Sequence, residues 1–185
     1  MFEIGSYVMY ENEGVCRVVD IAPYPYGNQE EPQKMYYQLS PVFKKGETIY
    51  VSVQTKARIR KMMTAQEAHR FMEQLTGIKP DIMRSRKPAQ LTEHYKKMLL
   101  TYQPEVLVSL IKEGYVKKAE AEEQKKKPGQ IDLHFLKSAE ELICGELAVA
   151  LDSTVEKVQG YLEKQIREEI RERRGHAAAE EQVSR

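Results

Sequence analysis

Nowhere in this 185-residue sequence do apolar residues run for the roughly 20 positions that a bilayer-spanning helix needs, so no membrane partner is expected. Met1 to Gly5 lack the basic and apolar regions of a secretory signal, and a cytoplasmic location is the expectation. Cysteine is nearly absent. Cys16 and Cys144 stand far apart, each next to an apolar residue and neither in a CxxC, so both are expected to be small buried hydrophobes. There is no tryptophan. Charge of one sign is not in excess, with 29 basic against 28 acidic residues and a net charge of +1. An autonomous, tight nucleic-acid binder carries a stronger positive field, because affinity scales with the phosphates neutralised. A weak DNA contact remains useful where another protein tethers the chain near DNA, since tethering raises effective concentration.

Sequence signatures of catalysis are also missing. No GxxxxGK[ST] loop, GxGxxG fingerprint, GxSxG elbow or HExxH pair occurs. The four histidines, His69, His94, His134 and His176, are dispersed over different predicted elements, which gives no metal-ligand spacing. Glu140-Glu141 and Glu168-Glu169 lie in helical runs interleaved with Lys and Arg, as solvated faces do. The expectation is a non-enzyme with no catalytic residues, cofactor, metal or small-molecule substrate.

What is present divides into two halves of different period. Tyr7–Tyr10, Gly14–Ile21, Met35–Ser40 and Thr48–Val53 are short β-branched and aromatic runs. Turn-forming stretches separate them at Glu11–Gly14, Pro23–Asn28 and Lys44–Gly46. Four or five short strands in about 60 residues offer too little area for a layered sandwich. They predict a strongly bent sheet or small barrel that buries Val8, Val15, Val18, Ile21 and Val51. From Thr64 the period becomes helical. Thr64-Ala65-Gln66-Glu67 reads as a capping box, followed by an apolar stripe of Ala68, Phe71, Met72 and Leu75 and a stop at Gly77. A proline-bounded charged linker, Lys79 to Pro88, precedes four further helices. The first carries Leu91, Tyr95, Met98 and Tyr102, and the second opens on Pro104 with Leu107, Leu110 and Ile111 on one face. Lys125 to Gly129 ends it. Ile131–Leu151 is apolar over a broad arc, as befits a central helix, and the last helix starts at a second capping box, Ser153 to Glu156.

Two features suit binding. Thr48–Val53 could offer unpaired backbone groups to a partner's sheet if it forms an open edge, the alternative being an ordinary internal strand. Lys79 to Lys97 carries Lys79, Arg84, Arg86, Lys87, Lys96 and Lys97 against Asp81 and Glu93, a local excess of four positive charges in a chain that is near neutral as a whole. Its alternatives are DNA contact and a linker charged for solubility. A smaller cluster, Lys56, Arg58, Arg60 and Lys61, has the same ambiguity.

In order along the chain, Phe2 to Tyr10 and Gly14-Val15-Cys16-Arg17-Val18 resemble the F-x-x-G-D-x-V-V-Y-P and G-V-G-x-V opening of the CarD family, shared by the polymerase-interacting module of the transcription-repair coupling factor. Tyr36-Tyr37-Gln38-Leu39 and Ile49-Tyr50-Val51-Ser52-Val53 are similar to the family's Y-Y-x-L and I-x-V-P-V strands. Phe135 to Ala148 is similar to its L-x-x-A-x-x-x-L-x-x-E-L-A helix, so the resemblance spans about residues 1–165. It implies a Tudor-like barrel pairing edge to edge with the β subunit of bacterial RNA polymerase through Thr48, Ile49, Tyr50, Val51, Ser52 and Val53. A helical domain would then stabilise the open promoter complex without enzymatic chemistry, inserting a tryptophan wedge beside the minor groove. Several positions depart from the pattern. Leu91 stands where the wedge tryptophan would be, with Glu93 and His94 at positions that are often basic. Leu91 can act as a smaller apolar wedge or be buried in the core on its helical stripe. Glu11 replaces a Pro and Cys16 a Gly, while Tyr24 and Tyr50 stand where some members carry polymerase-facing arginines.

The sequence thus predicts an α+β protein: a small N-terminal Tudor-like β-barrel over residues 1–62, a helix and basic linker over 63–88, an all-α helical bundle domain over 89–172 and a fraying tail over 173–185. Its expected partners are the RNA polymerase β subunit, through Thr48–Val53 and Tyr24, and promoter DNA, weakly and tethered, through Arg84, Arg86, Lys87, Leu91, Lys96 and Lys97. The first rival is an adaptor that binds polymerase or another protein without touching DNA. The second is an enzyme whose site is not recognisable in the sequence.

Overall fold

The computed structural model describes residues 1–25, 34–55 and 58–183. Five strands come first: β1 (Tyr7–Tyr10), β2 (Gly14–Pro23), β3 (Met35–Pro41), β4 (Ile49–Ser52) and β5 (Ile59–Lys61). Five helices follow: α1 (Ala65–Glu73), α2 (Pro88–Leu99), α3 (Pro104–Glu123), α4 (Gln130–Ala150) and α5 (Val155–Val183). The α+β class is therefore as the change of period predicts. Lys56 and the second half of the turn expected at Pro23–Asn28 lie outside the described residues.

All strand pairings are antiparallel, in the order β4-β3-β2-β1-β5. The expected barrel is not closed by a strand ladder, because no pairing joins β4 to β5 among the described residues. The sheet is open yet strongly bent. Its long strand β2 pairs with β1 through Gly14–Arg17 and with β3 from Cys16 onward, and its register shifts between Val18 and Asp20. Such a bulge bends a strand and increases its twist. The bend brings Ile59 of β5 and Val51 of β4, on opposite edges, into one small core with Val8, Cys16, Val18, Tyr37 and Leu39. β5 falls within the second basic cluster of the sequence, where Ile59 is flanked by cations and the short strand has little periodic signal.

The β1–β2 hairpin is buried on both faces. Val8 and Cys16 point into the small sheet core, while their neighbours Met9 and Val15 join the helical core. Successive side chains of a strand project to opposite faces, so consecutive apolar residues here mean two covered faces. The cover on the second face is α4, which packs against β2 and touches α1, α2, α3 and α5. Its apolar arc, from Phe135 through Leu147, is buried as expected of a central helix. α3 comes close to it at Gly114, where a Cβ would stand 3.0 Å from the Leu136 side chain.

The local signals act as anticipated at the start of α1. Thr64 accepts from the Glu67 amide at 3.2 Å and the Glu67 carboxylate accepts from the Thr64 amide at 2.8 Å, completing the capping box. At α5 only half a box forms: the Thr154 hydroxyl accepts from the amide of Lys157, whose ammonium side chain cannot return the bond. α5 continues as helix to Val183, through the charged, Ala-rich stretch whose composition suggests fraying. Among the described residues no helix is long and apolar enough to cross a membrane.

Candidate functional site

The segment singled out for edge pairing does lie at an edge. β4 pairs with β3 on one side, and among the described residues no strand covers the other. Its register sets Leu39 against Ile49, Tyr37 against Val51 and Tyr36 against Ser52. Beyond the strand, the Val53 amide donates to the Met35 carbonyl at 2.9 Å. Hydrogen-bonded pairs alternate along an antiparallel ladder, so the backbone groups of Val53, Val51 and Ile49 face β3. Those of Tyr50 and the amide of Ser52 face outward. The Ser52 carbonyl instead closes the following turn by accepting from the Thr55 amide at 2.9 Å. The available edge therefore centres on Tyr50, with Thr48 continuing it beyond the strand end.

Side chains divide the same way. Val51 is buried and Ile49 packs partly against the small core, which anchors the strand from within. Tyr50 lies on the opposite face, where its ring meets Tyr24 edge-on at 5.3 Å between centroids, and Tyr24 meets Tyr36 at 5.4 Å. Tyr24, 42% exposed, thus tops a three-ring aromatic cluster directly beside the free backbone edge. Tyr36 was not singled out from the sequence. Its signal was there in the alternation of Tyr36 and Gln38 with the buried Tyr37 and Leu39.

The model of the CarD-like/TRCF RID domain matches residues 2–63. This part of the chain is similar to a CarD-like/TRCF RID domain. The domain is an RNA polymerase-interacting module, and the match embraces all five strands while ending before α1. No curated protein matches the chain.

The RID-like sheet is bolted to the helices by a partly buried ion pair. Arg60 of β5 donates to both Glu146 oxygens, at 2.6 and 2.7 Å, and Glu146 is fully buried on α4. The same carboxylate accepts from the Met63 amide at 2.9 Å, and Arg60 also donates to the Tyr102 carbonyl at 3.1 Å. The ring of Phe43 lies against the α4 backbone at Gly145, where a Cβ would stand 3.0 Å from it. A bidentate, charge-assisted pair holds orientation as well as distance. Nothing in the sequence distinguished Arg60 from its basic neighbours or Glu146 from other helical carboxylates.

The residues expected to meet DNA are brought only partly together. Arg84, Arg86 and Leu91 line one cavity of about 400 Å³ with Met83, Ser85 and Lys117. Leu91 is half-buried there, outside both apolar cores, while Tyr95 and Met98 of its stripe are buried. Arg84 is engaged by Glu120 through two 2.7 Å bonds, and that partner raises the guanidinium's affinity for its proton. Lys97 lines a separate groove with Arg58 and Leu100 and pairs with Glu93 at 2.9 Å. Arg86, Lys87 and Lys96 are exposed. Beneath them lies a polar network in which the buried Glu113 accepts from Lys117 at 2.7 Å and the Met83 amide at 3.0 Å, with the His94 ring 2.8 Å away. Tyr95 donates to Asp132 at 2.5 Å, and burial with that carboxylate pushes its phenol's pKa upward. This network ties α2 and the segment before it to α3 and α4 and so fixes the face that carries Leu91.

Proposed function

We propose that the chain docks on the RNA polymerase β subunit by adding β4 to the edge of a polymerase strand, with the bent sheet serving as a Tudor-like module. The helical domain then stabilises the open promoter complex through weak, tethered DNA contact and performs no chemical step of its own. The observation that carries this reading is the free edge at Tyr50 and Ser52 beside the exposed ring of Tyr24 and the half-buried ring of Tyr50. Main-chain bonds supply affinity in strand addition and side-chain contacts supply specificity. On the DNA side, Leu91 lines one cavity with Arg84, Arg86 and Lys117, and a leucine inserted at a base step favours an already opened duplex.

The test compares Tyr50→Pro with Tyr50→Ala for binding to a purified β-subunit lobe. Proline at position 50 removes an outward amide that the sheet does not use, so circular dichroism should show a folded protein. Alanine removes the ring but keeps the amide. The expected result is at least about tenfold weaker binding by the proline variant than by the alanine variant, the cost of leaving a partner's acceptor unpaired. Equal binding by the two variants contradicts backbone pairing.

A second reading, an adaptor that never touches DNA, is favoured by the carboxylates already held by Arg84 and Lys97. Salt separates the two. Phosphate contacts make affinity fall steeply with salt concentration, whereas an adaptor adds no salt slope to promoter binding by polymerase.

A further inference from the structure

On the far side of the junction between the RID-like sheet and the helices, the β3–β4 loop and the α4–α5 corner enclose a groove of about 680 Å³. Its apolar lining includes Phe43, Leu99, Leu142 and Val155. Phe43 is 52% exposed although one side of its ring rests on Gly145. A large aromatic left half in water beside other apolar side chains marks an unfilled contact surface. The rim is acidic, with the carboxylates of Glu13, Glu141 and Glu156 facing the single ammonium of Lys44. Lys44 is spent on Glu13 at 2.7 Å. Glu156 has no ion pair among the described residues, and Glu141 has only Lys137 at 3.8 Å, with both side chains mostly exposed. The groove therefore presents apolar walls and uncompensated negative charge.

We propose that this groove is a docking site for a partner protein's short peptide segment with apolar anchors flanked by lysine or arginine. Charge complementarity selects that occupant. The same rim repels phosphate, which disfavours nucleic acid and anionic membrane surfaces, and repels acidic peptides. The site is separate from the β4 edge and from the cations near Leu91.

The test titrates the full chain with three fluorescent peptides that share leucine and phenylalanine anchors and differ only in flanking Lys, Gln or Glu, read by anisotropy. Binding to β-subunit lobe is measured alongside and is expected to be unchanged in every variant, which keeps a failure here distinct from failure of the polymerase reading. Expected is saturable binding in the order Lys, Gln, Glu, with about tenfold between the extremes. Phe43→Ser should abolish it, and Glu141→Lys with Glu156→Lys should invert the order. Because the charge-reversed residues are exposed, that variant remains informative if Phe43→Ser misfolds. The proposal is overturned by absence of saturable binding for the Lys peptide up to about 1 mM, by an order indifferent to the charge reversal, or by a concentration-dependent dimer that Phe43→Ser dissolves, since the occupant would then be a second copy.

Discussion

Glu146 and Glu113 are both fully buried carboxylates, and each is satisfied by a cation and a backbone amide: Arg60 and Met63 for Glu146, Met83 and Lys117, one turn on in α3, for Glu113. Burial of a charge is tolerable only with such partners. Residues at this scale were legible where their chemistry is local and illegible where it depends on distant partners. Cys16 and Cys144 are buried as expected, and burial pushes both thiols up to about 12. Arg60 and Glu146 are 86 positions apart, and only the fold makes them a pair. Glu140, read from its run as part of a solvated face, is instead drawn against the Tyr115 hydroxyl, which donates to it at 2.8 Å. Burial raises its pKa despite that bond. A carboxyl raised in the folded state keeps its proton longer than in the unfolded chain, so its contribution to stability falls as pH rises beyond the ordinary glutamate range. Glu140→Gln keeps an acceptor without the charge. It should melt higher than the parent at neutral pH, with the difference vanishing as pH falls below that range. Thermal melts across pH check this, and a lower melting temperature at every pH contradicts it.

Elements were legible in proportion to the periodicity and punctuation they carry. Four strands, the first helix with its capping box and the four later helices all lie where their patterns suggest, because each is set by neighbours in sequence. β5 was missed because three residues between cations show no alternation. Helix ends were less readable. α3 and α4 both close with left-handed residues that are not glycine, Lys125 at φ 53° and Asp152 at φ 49°. In each case the following amide reaches back to a carbonyl one turn earlier, Lys126 to Ala121 and Ser153 to Ala148, both at 2.8 Å. This is a Schellman closure, for which glycine is the usual residue. Lys125 is exposed, so glycine there relieves the backbone at little other cost. Lys125→Gly should raise stability by about 0.5–1 kcal/mol in urea denaturation, and any loss of stability contradicts the assignment.

At the scale of the whole molecule, the RID-like sheet and the helices share a core through Met9 and Val15 and a clamp through Arg60 and Glu146. The sequence marks a change of period near residue 63, but the close fit across it was invisible there, since covered second faces and ion pairs leave no periodic trace. Glu146→Ala takes the carboxylate from the partly exposed Arg60 guanidinium, which keeps the Tyr102 carbonyl, and from the Met63 amide, and should cost about 1.5–3 kcal/mol in chemical denaturation. A cost below about 1 kcal/mol would mean the clamp is not a joint of the fold. A rigid joint also gives the β4 edge and the Leu91 face one relative position, as the proposed bridging of polymerase and promoter requires.

The most direct measurement is amide hydrogen exchange, residue by residue along β4, with and without the polymerase β-subunit lobe. In the free protein the amides of Ile49 and Val51 should already be protected by β3, while those of Tyr50 and Ser52 exchange freely. Strand addition predicts that Tyr50 and Ser52 become protected on binding. A complex that forms while those two amides continue to exchange as before contradicts docking through this edge.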